Sequence, residues 1–315
     1  MRRSTLIIAL PTVVALVGCR AGAAEDQPAA GASADSAQGA AQTVDWKAVE
    51  TAMGRSATQQ PGDVYRFGFP RSDLRVTAAG VDIRPSLALG GWVAMKAVPG
   101  GAVAMGDLVL TEDEVSPVIS RLQEGGVEQT AIHHHILHES PRVVYMHIHA
   151  HGDPVRIAET IRDAVALTKA PPPAAPSQAT SGAFGIDTAG VAQALGYSGR
   201  INGGVYQVSV PRSETIRDRG MEVPPSMGLG TALNFQPTGG GKAAITGDFV
   251  LLASEVNPVI RTLREHGIEI TSLHSHMLTE EPRLFFMHFW ANDDAVKLAR
   301  GLRAALDKTN SRRPS

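Results

Sequence analysis

Ten of the eleven histidines in this 315-residue chain fall within residues 133–151 and 274–288. In the first stretch His133 and His135 stand two apart, and His147, His149 and His151 repeat that spacing. The second keeps His274, His276 and His288 but has Trp290 and Asn292 in the last two places. Side chains two apart on a strand share a face. A hairpin turning at Ser140 sets His133 opposite His147 and gathers five imidazoles on one face of the first stretch, three on the second. Neutral imidazoles at about 2.0–2.1 Å hold a divalent ion such as zinc, and three of them leave a position open for water. There the ion can acidify the water or polarise a carbonyl. Imidazole sets also suit copper, nickel or iron, so the pattern names no particular ion. The candidate ligands are His133, His135 and His147 with their counterparts His274, His276 and His288. His149 or His151 would then serve as fourth ligand or as acid and base. With more imidazoles, the first stretch is expected to bind metal more tightly. The other reading gives these histidines a structural role in a protein that binds a small ligand or a partner without catalysis.

Other polar residues carry weaker expectations. Arg142 and Arg283 follow the prolines of the proposed turns, and Arg71 and Arg212 follow Pro70 and Pro211. Such guanidinium pairs can hold a carboxylate or phosphate, although ion pairing to Glu139 and Glu280 accounts for them more simply. Asp107 and Asp248 each follow glycine and read as turn residues, with a role in orienting a ligand histidine as the alternative. Gly239-Gly240-Gly241-Lys242 lacks the Ser or Thr and the helix of a phosphate loop, so it reads as a hairpin loop. Tyr145-Met146 and Phe286-Met287 read as core.

The elements that must position these residues occur twice. Residues 107–168 align without a gap on 248–309, offset by 141, with 28 identities in 62 positions, far more than unrelated segments share. Within the first copy, Val64 to Phe69, Leu87 to Ala97 and Ala102 to Leu110 alternate like strands. Ser116-Pro117 and Asn257-Pro258 resemble an N-cap followed by a first-turn proline, predicting helices that end near Gly125-Gly126 and Gly267. Strands over Glu128 to Leu137 and Arg142 to His151 come next, and Asp153-Pro154 caps a last helix. The order implies an α+β fold of two tandem repeats about a pseudo-twofold axis, each a mainly antiparallel sheet with two helices on one face.

The remaining organisation reads from composition. Arg2, Arg3 and the apolar run from Leu6 predict a signal peptide over residues 1–18, too short for a membrane span. Leu16-Val17-Gly18-Cys19 has the character of a lipobox, so lipidation is expected at Cys19, the only cysteine. Residues 19–43 are small and polar and read as a flexible tether. Repeats then occupy 44–168 and 188–309, joined by a Pro/Ala-rich linker over 169–187 and followed by a tail at 310–315. The expected place is the bacterial cell envelope, exported, with the globular part outside the cytoplasm and the membrane as partner through the lipid. The 29 Lys and Arg nearly balance 31 Asp and Glu without a basic block, which argues against nucleic acid.

The runs MGDLVLTEDEVSPVISRLQEGGVEQTAIHHHILHESPRVVYMHIHAHGDP and TGDFVLLASEVNPVIRTLREHGIEITSLHSHMLTEEPRLFFMHFWANDDA resemble the LppY/LpqO-type bacterial lipoprotein family. The resemblance covers most of residues 45–308. It implies a secreted or lipid-anchored envelope protein with a tandem domain, and it brings no activity with it. That family has His-Asn-His where this chain has His133-His134-His135 and His274-Ser275-His276, which argues against His134 as a ligand.

Overall fold

The computed structural model describes residues 43–172 and 184–313. The leader, Cys19, nearly all of the tether and the middle of the linker lie outside them. Both repeats belong to one compact unit. The first runs α1 (Trp46–Met53), β1 (Thr58–Gln60), β2 (Val64–Pro70), β3 (Thr77–Ala78), β4 (Val81–Asp82), β5 (Gly90–Val98), β6 (Gly101–Thr111), α2 (Glu112–Glu124), β7 (Glu128–His133), β8 (Glu139–Ser140), β9 (Val143–Gly152) and α3 (Pro154–Val165). The second repeats it as α4 (Thr188–Leu195), β10 (Arg200–Asn202), β11 (Val205–Pro211), β12 (Arg217–Asp218), β13 (Met221–Glu222), β14 (Gly230–Gly239), β15 (Lys242–Leu251), α5 (Ala253–Glu265), β16 (Glu269–His274), β17 (Glu280–Glu281), β18 (Phe285–Asp294) and α6 (Ala295–Leu306).

Each repeat builds a six-stranded antiparallel sheet, ordered β1-β2-β5-β6-β9-β7 or β10-β11-β14-β15-β18-β16, and a small sheet, β4-β3-β8 or β13-β12-β17. The fold is α+β and duplicated, with three helices per repeat where the sequence pattern predicts two. The extra helix, α1 or α4, begins at an aspartate whose carboxylate accepts backbone N–H groups, Asp45 from Lys47 and Ala48 and Asp187 from Gly190. Helix α2 starts at Glu112, ahead of the predicted Ser116-Pro117 start, because Glu114 reaches back to accept the Thr111 N–H at 2.9 Å. Leu252 and Glu255 do the same for α5 at 2.7 Å. Asp153 caps α3 as its Asp-Pro pair predicts.

The two-residue period of the strands sorts side chains onto two faces. On β9, Met146, Ile148 and Ala150 join α1, α2 and α3 in the core of the first repeat, and the matching face of the second packs on α4, α5 and α6. The opposite faces meet each other. One shared cluster combines Val76, Ala78, Val81 and Ile83 of the first repeat with Val205, Ala244 and Trp290 of the second. Another combines Ile216, Val223 and Met277 of the second with Val64, Ala94 and Met105 of the first. The small sheet of each repeat thus covers the inner sheet face of the other. The layers are helices, sheet, sheet, helices, and side chains on the inner faces of β6, β9, β15 and β18 lie in the interface.

Two buried ion-pair networks fix the start of α2 and α5. Arg71, 1% exposed, donates to Glu114 at 2.6 Å and to Asp73 at 2.8 Å, and Arg212 matches it with Glu255 at 2.7 Å and Glu214 at 2.9 Å. These guanidiniums are fully engaged and do not face the histidines as ligand holders.

Candidate metal centre

The inner faces bring six histidines together, and they come from both repeats. His147 on β9 and His288 on β18 are held by the sheet itself. The Nδ1 of His147 lies 3.2 Å from the Gly106 carbonyl, and that of His288 lies 2.6 Å from the Gly247 carbonyl. A carbonyl can only accept, so each Nδ1 carries the proton and each Nε2 presents a lone pair. His133 ends β7 and His274 ends β16. His135 and His276 lie beyond those strands, on segments pinned across the interface. Thr271 Oγ1 donates to the His135 carbonyl at 2.6 Å, and Thr130 Oγ1 donates to the His276 carbonyl at 2.7 Å.

The register differs from that expected of a hairpin turning at Ser140. Tyr145 stands opposite His133, and His147 opposite Ala131, with a shift in pairing between Gln129 and Ala131. The chain between β7 and β9 is a long excursion in which β8 pairs with β3, not a tight turn. His133 still reaches His147, with ring centroids 4.9 Å apart, but it also lies 3.8 Å from His274 and 5.3 Å from His288.

Two trios result, each with a His-x-His pair from one repeat and a third imidazole from the other. In His133, His135 and His288 the centroids are separated by 5.0, 3.9 and 5.3 Å. In His274, His276 and His147 they are separated by 5.1, 3.8 and 5.3 Å. Ligand atoms of His133, His135 and His288 lie within 4.8 Å of one another, as do those of His133, His147 and His274 and those of Asp248, His274 and His276. The expected division into one complete ligand set per repeat is therefore incorrect.

Asp107 and Asp248 are not turn residues. They lie within β6 and β15, where inner-face alternation aims them at the histidines. An Asp107 oxygen is 3.3 Å from His135 Nε2, and an Asp248 oxygen is 3.0 Å from His276 Nε2, at angles that do not make hydrogen bonds. The rings of His135 and His276 are backed by stacked Tyr145 at 3.4 Å and Phe286 at 3.5 Å.

Burial governs the protonation of this centre. Desolvation, with repulsion from neighbouring imidazoles, pushes His133, His135, His147 and His274 well below the ordinary histidine range. His276 is pushed down to about 3 and His288 to about 4, with burial the main cause. The carboxyl of Asp248 is pushed up to about 6 by burial and by the nearby Asp107. Several inward atoms have no hydrogen-bond partner, among them His147 Nε2, both ring nitrogens of His274 and one oxygen of each aspartate. Buried polar atoms are seldom left so.

The remaining candidates fall elsewhere. His149 is buried but turns to the small sheet of the second repeat, with Nε2 3.1 Å from Asp218 and Nδ1 3.7 Å from Glu128. Its counterpart Trp290 packs in the shared apolar cluster with Ala78, the counterpart of Asp218. Histidine and tryptophan thus match what covers them, and neither change adds or removes a ligand. His151 is exposed at the end of β9 and does not join the five-imidazole face expected from the sequence. His134 Nδ1 donates to the Val143 carbonyl, 2.8 Å away, and the residue lies outside the trios. Arg283 pairs with Glu280 at 3.3 Å, Arg142 lies near Glu139, and both arginines are exposed, unlike the buried trios. Gly239 to Lys242 closes the β14–β15 hairpin. A cleft of about 760 Å³, lined by Arg75, Arg84, Gln236 and Lys242 among others, contains none of the six histidines.

Fold and site together define a duplicated α+β protein with a histidine centre shared between its repeats. The family described as Domain of Unknown Function (DUF1259) matches residues 47–167 and again residues 189–308, and the chain belongs to that family. No curated protein matches it. Among solved structures, it is similar to a trimeric bacterial microcompartment shell protein, PduB, at 12% identity, over 80% of this chain and 91% of that one, with a TM-score of 0.20. EtuB from Clostridium kluyveri matches at 10% identity, over 80% and 90%, with a TM-score of 0.19. Superpositions this slight carry no structural or functional argument. Among the described residues, no helix is long and apolar enough to cross a membrane.

Proposed function

We propose that this protein binds a divalent first-row transition metal, such as zinc, through imidazoles contributed by both repeats. The observation that carries the reading is the convergence of buried, neutral imidazoles, among which His135 Nε2, His147 Nε2 and both ring nitrogens of His274 and His276 have no hydrogen-bond partner. Neutral imidazole is the ligand form, and a proton held on Nδ1 by a backbone carbonyl is the usual way a ligand histidine is oriented. His133 Nε2 and His288 Nε2 stand 3.3 Å apart. Two nitrogens bound at roughly 2.0–2.1 Å in a tetrahedral site are separated by roughly 3.3–3.4 Å. A metal with an unfilled position would activate water or polarise a small-molecule carbonyl.

The competing reading makes the histidines interface packing in a protein that binds a ligand or partner without catalysis. Parallel ring stacking supports it, as between His133 and His274 at 16°. Elemental analysis of the purified full chain, before and after chelation, separates the two. A stoichiometric, chelatable transition metal supports the first, and its absence after incubation with zinc, copper, nickel and iron salts overturns it.

We further propose that the protein works in the bacterial envelope, exported and anchored by lipid on Cys19. Leu16-Val17-Gly18-Cys19, and the resemblance to LppY/LpqO-type lipoproteins, support this placement.

A further inference from the structure

We infer that the centre holds two metal ions, one in each trio. This rests on the metal-binding reading above and extends it from one ion to a paired site. Two groups of three with no residue in common each bring their ligand atoms within 4.8 Å of one another: His133, His135 and His288, and Asp248, His274 and His276. The first has His133, His135 and His288 with the Asp107 carboxylate beside His135. The second has Asp248, His274 and His276, with the His147 ring 3.8 Å from that of His276 between centroids. Each has its own orienting carbonyl, Gly247 for His288 and Gly106 for His147. The ring separations of the two trios agree to within 0.1 Å at each corresponding pair.

Ligand count points the same way. A tetrahedral ion takes four ligands, and each of the two groups supplies three and leaves one position for water or another ligand. One ion at the centre of all six histidines would leave buried ring nitrogens without partners, as they stand in the protein alone, at a cost that burial makes high. Two ions engage both sets. Charge is consistent as well. The imidazoles are neutral, so the two carboxylates offset only part of the charge of two divalent ions. The remainder favours hydroxide or an anionic small molecule, a carboxylate or phosphate, as an added ligand.

The test uses the purified full chain, stripped with chelator and titrated with Co²⁺ and separately with Cu²⁺. Two ions per chain are expected at saturation, counted by elemental analysis after desalting. The two-copper form is expected to show the broadened, diminished paramagnetic resonance signal of neighbouring ions. His135→Asn and His276→Asn should each reduce the ratio from two to one, and the double variant should abolish binding. Circular dichroism identifies folded variants, and the wild-type count and resonance signal stand without them. Saturation at one ion per chain overturns the paired site while leaving metal binding intact. No bound ion overturns both. Loss of both ions on changing His135 alone also overturns the assignment of one ion to each trio.

Discussion

His133 and His288 approach Nε2 to Nε2 at 3.3 Å, although 155 positions of chain separate them. His288 has its Nδ1 proton committed to the Gly247 carbonyl, so its Nε2 is an acceptor, and His133 must bring a proton or share a cation there. Neither repeat owns this contact. The chemistry of the centre depends on the packing of one sheet against another, and so does its sensitivity to change.

Removing metal should loosen the whole chain. A ligand that binds only the folded state stabilises it by about 2.7 kcal/mol at a hundred times its Kd. Thermal unfolding with added zinc and with excess chelator is expected to differ by several degrees, and superimposable curves would contradict a site built between the repeats.

Changes within one trio should be redundant. His135→Ala with His288→Ala should lose little more metal than either alone, since they strike one site, whereas His135→Ala with His147→Ala should lose both ions. Metal counts on the four folded variants check the pattern. Groups sharing a network are expected to be non-additive.

Arg71→Met should destabilise the fold by about 3–5 kcal/mol because it strands the buried Glu114 carboxylate. Pairing that change with Glu114→Gln should recover part of the loss. Denaturant midpoints report both effects, and metal stoichiometry should not move.

Burial pushes the Glu139 carboxyl up from 4.5 to about 7, against a backbone hydrogen bond from Val143 and the nearby Arg142, both of which lower it. The folded state therefore favours the neutral acid. Its contribution is full below the unfolded pKa and is lost as pH rises through about 7. Glu139→Gln should match wild type near pH 4 and exceed it in stability at pH 8. Denaturant curves at several pH values check this, and a gap that shrinks with rising pH would oppose it.

Mass spectrometry of the native N-terminus should find a lipid-modified Cys19 and partition into detergent. A protein beginning elsewhere, without modification, would contradict the anchor.

The duplication was legible in the sequence because aligned identities survive packing differences, and the strands were legible because inner and outer faces alternate. Helix α1 was missed: its eight residues fall just after a stretch of small polar residues, and Asp45 is its main start signal. The six principal histidines were marked by their spacing, but their grouping was not. Spacing reports which side chains share a strand face, whereas contact between His135 and His288 depends on two sheets meeting. Asp107 looked like a turn residue because Gly106 precedes it. That glycine instead admits close packing, since a Cβ there would lie 2.7 Å from the Trp92 carbonyl oxygen.

Because each trio borrows an imidazole from the other repeat, an ancestor with a single repeat could assemble one only by pairing with itself. A centre older than the joining of the two copies would therefore have required a homodimer. In a single chain that encounter is internal and does not depend on concentration. It also leaves each half free to differ away from the trios: His149 over Asp218 is a polar pair and Trp290 beside Ala78 an apolar one, while the residues of the trios match.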